Sequence, residues 1–474
     1  MHASRAAIDD AFLGRLRGAC ATVDDDPGVI GEASRDWWPL AMHWALRDEV
    51  GARAAVVARP GSEREVADVL RLCNEARMPV TAVAGRSGVC GASIPVHGGV
   101  ALDMTALAGI RSVDRTSLLV DVHAGTFGDV FEDELRGEYG LTCGHWPQSI
   151  ALSTVGGWLA CRGAGQFSTR YGKIEDIVQG LDVVLADGRT ITTGGAPRAA
   201  VGPDLTQLFV GSEGTLGVIT GARLRAHPVP AGQWRAAFGF GSFADALDAM
   251  RRIVQRGATP AVLRLYDDIE ANRSYQTGDI HLLLAYDEAD PAIIDATRTI
   301  VNDCCAGAQK MDEQLVDRWM EHRNDVSQLE ALVSRDIVVD TMEVSGTWAA
   351  LPAIYEQARA AILGVEHAMV ASAHQSHSYT DGGCLYFTFA ARPPVEQKDA
   401  CYKAMWDAGT RAVLAGGGAL SHHHGVGLNR ARFVRDALGE GFDVLVAVKQ
   451  ALDPNGILNP SKLGLPSPWG DATW

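Results

Sequence analysis

Between residues 84 and 217 the chain repeatedly interrupts a short apolar run with a cluster of glycines. These are Gly85 and Gly88 flanking Arg86-Ser87, Gly98-Gly99, Gly156-Gly157, Gly163 with Gly165, and Gly211, Gly214 and Gly217. Glycine weakens helices and strands through its backbone entropy, so grouped glycines mark backbone that must bend tightly or come close to another group. Short strands separated by such loops describe an α+β region rather than a helical one. The surplus is real, since 52 glycines in 474 residues is roughly one and a half times ordinary usage.

The apolar fraction of 47% excludes disorder, and the length allows two or three domains. With 42 Lys+Arg against 58 Asp+Glu the formal net charge is −16. No basic cluster offsets it, so neither nucleic acid nor an anionic membrane surface is an expected partner. Nine cysteines form an odd set without a C-x-x-C pair, which reads as reduced thiols in a cytoplasmic protein. The first 30 residues have neither a basic start nor a continuous apolar core and no 18-residue apolar run occurs, so neither a signal peptide nor a transmembrane segment is expected.

Residues 54–84 read as a βαβ unit. The strand Ala54 to Ala58 leads into Ser62-Glu63-Arg64-Glu65, a capping box in which Ser62 and Glu65 are expected to satisfy each other's N–H groups. Val66, Val69, Leu70 and Cys73 then mark one helical face, and Pro79 to Val83 resumes as strand. The texture changes near Pro228-Val229-Pro230, and residues 235–420 mix helical stretches with strands. The expected organisation is an N-terminal helical segment (1–49), a loop-rich domain (50–230), a second α+β domain of antiparallel sheet and helices (231–420), and a tail (421–474) that returns to the first domain.

Successive small residues in Gly85-Arg86-Ser87-Gly88-Val89-Cys90 would let backbone N–H groups converge on an anion, although this loop alone suits an ordinary tight turn equally well. It is followed by Pro147-Gln148-Ser149 with Ser153-Thr154-Val155-Gly156-Gly157, and by Glu213-Gly214-Thr215-Leu216-Gly217-Val218-Ile219. In this order and spacing the three loops resemble the FAD domain of the vanillyl-alcohol-oxidase/p-cresol-methylhydroxylase (PCMH) superfamily. The resemblance implies a two-subdomain PCMH-type FAD fold with a cap domain. It also implies that the first loop wraps the pyrophosphate, that Pro147, Gln148, Ser149, Ser153, Thr154, Gly156 and Gly157 line the isoalloxazine, and that Glu213, Gly214, Gly217, Val218 and Ile219 hold the adenosine side. Some members bind flavin covalently through a histidine of the first loop. None lies within 84–93, so non-covalent FAD is expected, with Cys90 or Cys143 as the thioether alternatives.

Relatives that oxidise D-2-hydroxy acids hold a metal with histidines of a Gly-Asp-Gly-Asn-Leu-His string and the Glu of a Gly-Glu-His-Gly string. Here Tyr386 stands in the first position and His423 in the second, so no metal site is expected. The same stretches resemble bacterial-type members of the alkyldihydroxyacetone-phosphate synthase family. That likeness implies a redox-neutral exchange of the acyl group of an acyl-dihydroxyacetone phosphate for a fatty alcohol. By motif position it assigns Tyr386, His423, Arg264 and Arg335 to the active site, with His374 where the eukaryotic enzymes carry Arg. A base with pKa near neutrality suits proton abstraction, so His423 is favoured, and Tyr386 could support an oxyanion. Arginine forks suit a phosphate. If extended, His422, His423 and His424 could not all face one site, and Tyr386 sits in an apolar run that equally suits a core residue. The alternative function is an FAD-linked oxidase or dehydrogenase acting on a hydroxyl of a small 2-hydroxy acid or sugar. A small, phosphorylated, lipid-like substrate is the expected partner, and a homodimer is compatible with the sequence.

Overall fold

The computed structural model describes residues 6–47, 49, 51–326, 337–472 and 474. A four-stranded sheet orders Val23–Asp24, Val56–Ala58, Val100–Asp103 and Val80–Val83, the last three parallel. The connection through helix Glu63–Ala76 therefore does not join neighbours, because Val100–Asp103 lies between the two strands it links. The capping box differs from expectation. Ser62 Oγ accepts from Glu65 N at 3.3 Å, but the Glu65 carboxylate reaches back one residue further, to Gly61 N at 3.0 Å.

A second, antiparallel sheet orders Ile110–Asp114, Leu119–His123, Val218–Arg225, Val178–Val184 and Thr190–Thr192. Its core of Val120, Val122, Leu181, Val183, Ala222 and Leu224 is fully buried, as alternation on a one-sided sheet requires. The cap is a seven-stranded antiparallel sheet in the order Gln309–Met311, Gly232–Phe240, His281–Ala289, Val262–Tyr266, Ala368–Ser378, Gly382–Ala391 and Val338–Thr347. Helices Phe243–Gln255, Leu351–Leu363 and Lys398–Ala415 bury their apolar stripes against it.

Both ends of the chain tie these layers together. Trp38 Nε1 donates to Tyr402 OH at 2.9 Å and Trp44 Nε1 to Asp399 at 2.9 Å, fastening the N-terminal helices to the cap. The tail runs the other way. Leu458 bridges Val80, Lys449 Nζ donates to Thr215 O at 2.8 Å, and Asn459 Nδ2 donates to Glu213 O at 2.6 Å. Among the described residues no helix is long and apolar enough to cross a membrane.

Candidate active site

The three glycine loops meet the cap around one cavity of about 970 Å³, the upper end of the range for ligand sites. Gly85, Arg86, Ser87, Gly88, Val89 and Cys90 line it, and among the described residues none of the backbone N–H groups from 85 to 90 donates to a protein acceptor. Pro147, Gln148, Ser149, Ser153, Thr154, Gly156 and Gly157 line the same space, as do Glu213, Gly214, Gly217, Val218 and Ile219. Backbone closeness explains two of the glycines. A Cβ on Gly85 would lie 2.1 Å from Leu152 O, and one on Gly156 2.8 Å from Ala124 Cβ.

Not every lining residue is free to hold a ligand. Thr154 Oγ1 accepts from Gly157 N and caps the following helix. The Glu213 carboxylate accepts from Val426 N at 2.5 Å and Gly427 N at 2.8 Å, so it is engaged in fastening the tail loop. His145, which sequence reasoning missed, lines the cavity with both ring nitrogens buried and, among the described residues, without a partner. Burial, reinforced by Lys173, pushes its pKa down to about 3, so it offers one neutral donor and one acceptor. Orphaned imidazole nitrogens beside unsatisfied N–H groups fit a large ligand with an anionic bridge and a hydrogen-bonding ring system, which FAD provides.

Cap strands build the opposite wall. Arg264 donates from Nε to Tyr266 OH at 2.7 Å and from Nη2 to His374 Nε2 at 2.8 Å, and its guanidinium lies over Trp319. It has no ion pair among the described residues. His374 Nδ1 stands 2.9 Å from Glu270 Oε2. Burial and Arg264 hold His374 down to about 4, so it is neutral, accepting from Arg264 and donating to Glu270. This side chain, expected to touch substrate, lines the cavity but is engaged in orienting Arg264. Its ring stacks on Tyr386 at 4.7 Å. Tyr386 donates to Thr341 Oγ1 at 3.0 Å, and burial raises its pKa, so the phenol keeps its proton. Arg335 lies outside the described residues.

The three histidines are not extended. Glu343, wholly buried, sits inside their turn: Oε1 accepts from His422, His423 and His424 N at 3.2, 3.0 and 2.8 Å and from Ser421 Oγ at 2.6 Å. Arg430, equally buried, pairs with both carboxylate oxygens. The turn splits the roles. His423 and His424 line the cavity, whereas His422 lies behind it, bonded to Tyr379 OH at 2.9 Å and His423 Nδ1 at 2.9 Å. His377, also missed, lines the cavity, and its Nδ1 bonds Ser168 Oγ at 2.7 Å. Ring nitrogens of His377, His422 and His423 lie within 4.8 Å of one another. Four of these six nitrogens already engage hydrogen bonds, so we read the group as a network rather than as metal ligands. Burial is the first cause holding all three well below their ordinary pKa.

Residues 54–194 match the FAD binding domain family and residues 229–463 the family of FAD linked oxidases, C-terminal domain. An FAD-linked oxidoreductase of Escherichia coli O157:H7, YgcU, is 30% identical over 427 residues, covering 85% of this chain and 88% of the relative. Alkyldihydroxyacetonephosphate synthase of Dictyostelium discoideum is 29% identical over 467 residues, covering 88% of this chain and 76% of that one. A solved alkyldihydroxyacetonephosphate synthase superposes with a TM-score of 0.78 at 25% identity over 98% of this chain and 88% of its own. p-Cresol methylhydroxylase shares the fold, with a TM-score of 0.79 at 17% identity over 98% and 99%. A cavity whose unsatisfied groups fit FAD, the two matching domain families and these relatives agree: the chain is an enzyme of the FAD-linked oxidase family, within the vanillyl-alcohol-oxidase/PCMH superfamily.

Proposed function

We propose that the protein exchanges the acyl group of an acyl-dihydroxyacetone-phosphate-like substrate for a fatty alcohol, with FAD bound non-covalently. The observation that carries this is Arg264. It is a cavity-lining guanidinium with no ion pair among the described residues, and the line from His374 to Glu270 orients it. A fixed fork without a counter-ion matches a phosphate brought by substrate. Bound FAD would supply an electrophilic ring that takes up and returns electron density at the reacting carbon. Burial holds the Cys90 thiol well above its ordinary pKa, which suppresses the thiolate a covalent link would need.

The chain's own residues divide the remaining work. His423, neutral and at the cavity, takes a proton from the carbon beside the ketone. Tyr386 keeps its proton and, with the Thr341 hydroxyl turned to donate to it, swings its O–H from Thr341 to the developing oxyanion. Arg264 holds the phosphate end, fixing the carbon against the base. Synthases of two further organisms match at 28% and 26% identity, which supports the same reading.

The second reading, oxidation of a 2-hydroxy acid, is favoured by the same Arg264, since a carboxylate would satisfy its fork, and by a 27% identical mitochondrial D-lactate dehydrogenase of Arabidopsis thaliana. Anaerobic mixing separates the two. Incorporation of labelled hexadecanol from palmitoyl-dihydroxyacetone phosphate without lasting flavin bleaching is expected. Persistent bleaching by a D-2-hydroxy acid, with no alcohol incorporation, would replace the synthase reading by the oxidase one.

A further inference from the structure

We propose that His377 is the acid partner of His423, and that His422, Tyr379 and Ser168 join these two imidazoles into a single proton wire. The proposal rests on the reading of His423 as the base. The contacts run without a break: His423 Nδ1 to His422 Nδ1 at 2.9 Å, His422 Nε2 to Tyr379 OH at 2.9 Å, Tyr379 OH to Ser168 Oγ at 3.3 Å, and Ser168 Oγ to His377 Nδ1 at 2.7 Å. Only the two ends line the cavity. Ser168 and His422 are buried behind it and Tyr379 is partly buried. The wire curls back on itself, so the His377 and His423 ring centroids are 5.1 Å apart and one reacting group can touch both.

Every member can both donate and accept, and each link holds one proton. The wire therefore has two consistent orderings. In the first, His423 Nδ1 donates to His422, His422 Nε2 to Tyr379, Tyr379 to Ser168 and Ser168 to His377. His423 Nε2 is then a bare base and His377 Nε2 carries a proton. In the second, every donor and acceptor is exchanged. Neutral imidazoles are required, since an imidazolium donates from both nitrogens and blocks one direction. Burial and the Lys173 ammonium, which donates to the His422 carbonyl at 2.7 Å, disfavour that charge.

The proton balance follows. The substrate C–H bond breaks and an N–H bond forms at His423 Nε2. Four internal protons each cross one link, the ester C–O bond breaks with its electron pair on the carboxylate, and the N–H bond at His377 Nε2 breaks as its proton joins that carboxylate. The incoming alcohol oxygen then bonds to the same carbon and gives its proton to His377 Nε2, the four links reverse, and His423 returns a proton to carbon. Ester and alcohol become ether and carboxylic acid, and the wire is back in its first ordering.

Tyr379→Phe and Ser168→Ala cut the wire away from the cavity. With palmitoyl-dihydroxyacetone phosphate and hexadecanol, each should lower kcat about 100-fold, the lower end of what acid–base catalysis contributes, with KM and the flavin spectrum unchanged. The wild-type kcat should depend on deuterium fraction along a curve, and in these variants the dependence should become linear. His377→Ala should behave alike and regain turnover with added imidazole. Wild-type-like kcat and curvature in Tyr379→Phe and Ser168→Ala, beside an inactive His423→Ala, would overturn the wire and leave the base standing; an active His423→Ala would remove the base itself. On ¹⁵N-histidine-labelled, FAD-loaded protein, a scalar coupling across His422 Nδ1 and His423 Nδ1 is expected whatever the substrate. Its absence, or stoichiometric zinc on these nitrogens, would overturn the wire.

Discussion

Replacing Glu343 by Gln should be among the most damaging single changes in the chain, although it removes no atom that touches the cavity. Glu343 and Arg430 have no exposed side-chain surface and face each other as a bidentate pair. Glutamine leaves the guanidinium buried without its counter-charge and turns an amide donor toward either Arg430 or the three N–H groups of the histidine turn. Breaking such a pair costs about 3–5 kcal/mol. At roughly 2–4 °C per kcal/mol for a unit of this size, thermal unfolding of the FAD-loaded protein should fall by about 10 °C, followed by flavin fluorescence. Arg430 holds the Glu343 carboxyl well below its ordinary value of 4.5 against the opposing effect of burial. A depressed folded-state pKa contributes stability that is fully present above the unfolded value and lost as pH falls. The gap between wild type and Glu343→Gln should therefore stay constant from pH 8 to 5 and close only below about 4.5. Adding Arg430→Met should restore part of the loss, because the orphaned charge is gone. A Glu343→Gln protein that unfolds within 2 °C of wild type at pH 7 and keeps full turnover would refute the argument.

Three further outcomes follow from the cavity. Gly85→Ala, whose Cβ would press on the Leu152 carbonyl, should yield folded protein that purifies colourless; retained yellow colour would show that the loop can shift. His145→Leu removes two orphaned nitrogens, so the FAD-free protein should hold or gain stability while FAD affinity drops roughly 2–12-fold, the worth of one hydrogen bond. Equal FAD affinity by titration would mean the imidazole does not meet the ligand. Arg264→Lys loses the fork and the contact to His374, and KM for the phosphorylated substrate should rise roughly 10–100-fold with little change in kcat, in line with a charged hydrogen bond of about 1.5–3 kcal/mol; an unchanged KM would remove the phosphate clamp.

The wall built by the glycine loops was legible because glycine leaves a direct mark: Gly85 and Gly156 are glycines for reasons of contact, and their spacing to the Glu213-Gly214 loop is written in the chain. The opposite wall was legible only in part. Arg264, Tyr386 and His423 come from motif positions, but Glu343 sits in a strand, Val338–Thr347, whose alternation reads as ordinary sheet, and its partners lie 78 to 87 residues away. His377, Tyr379 and Ser168 are likewise common residue types whose meaning appears only when Ala368–Ser378 is laid beside the turn at residues 168–171. The strand order of the first sheet was not legible either, since periodicity locates strands but not their order. The triple histidine was read through the geometry of an extended chain, which a buried carboxylate replaces by a turn.

The tail has a consequence for how the molecule is made. Asn459 holds the carbonyl of Glu213 across 246 residues, and Leu458 extends the pairing of Val80. At about 5–20 residues per second, a ribosome that has finished the glycine loops must work for roughly another 10–50 s before the segment that closes them exists. During that interval the loops have their glycines but not their clasp, and a chain stalled within the cap carries the three loops without the contacts of Leu458 and Asn459 that close them.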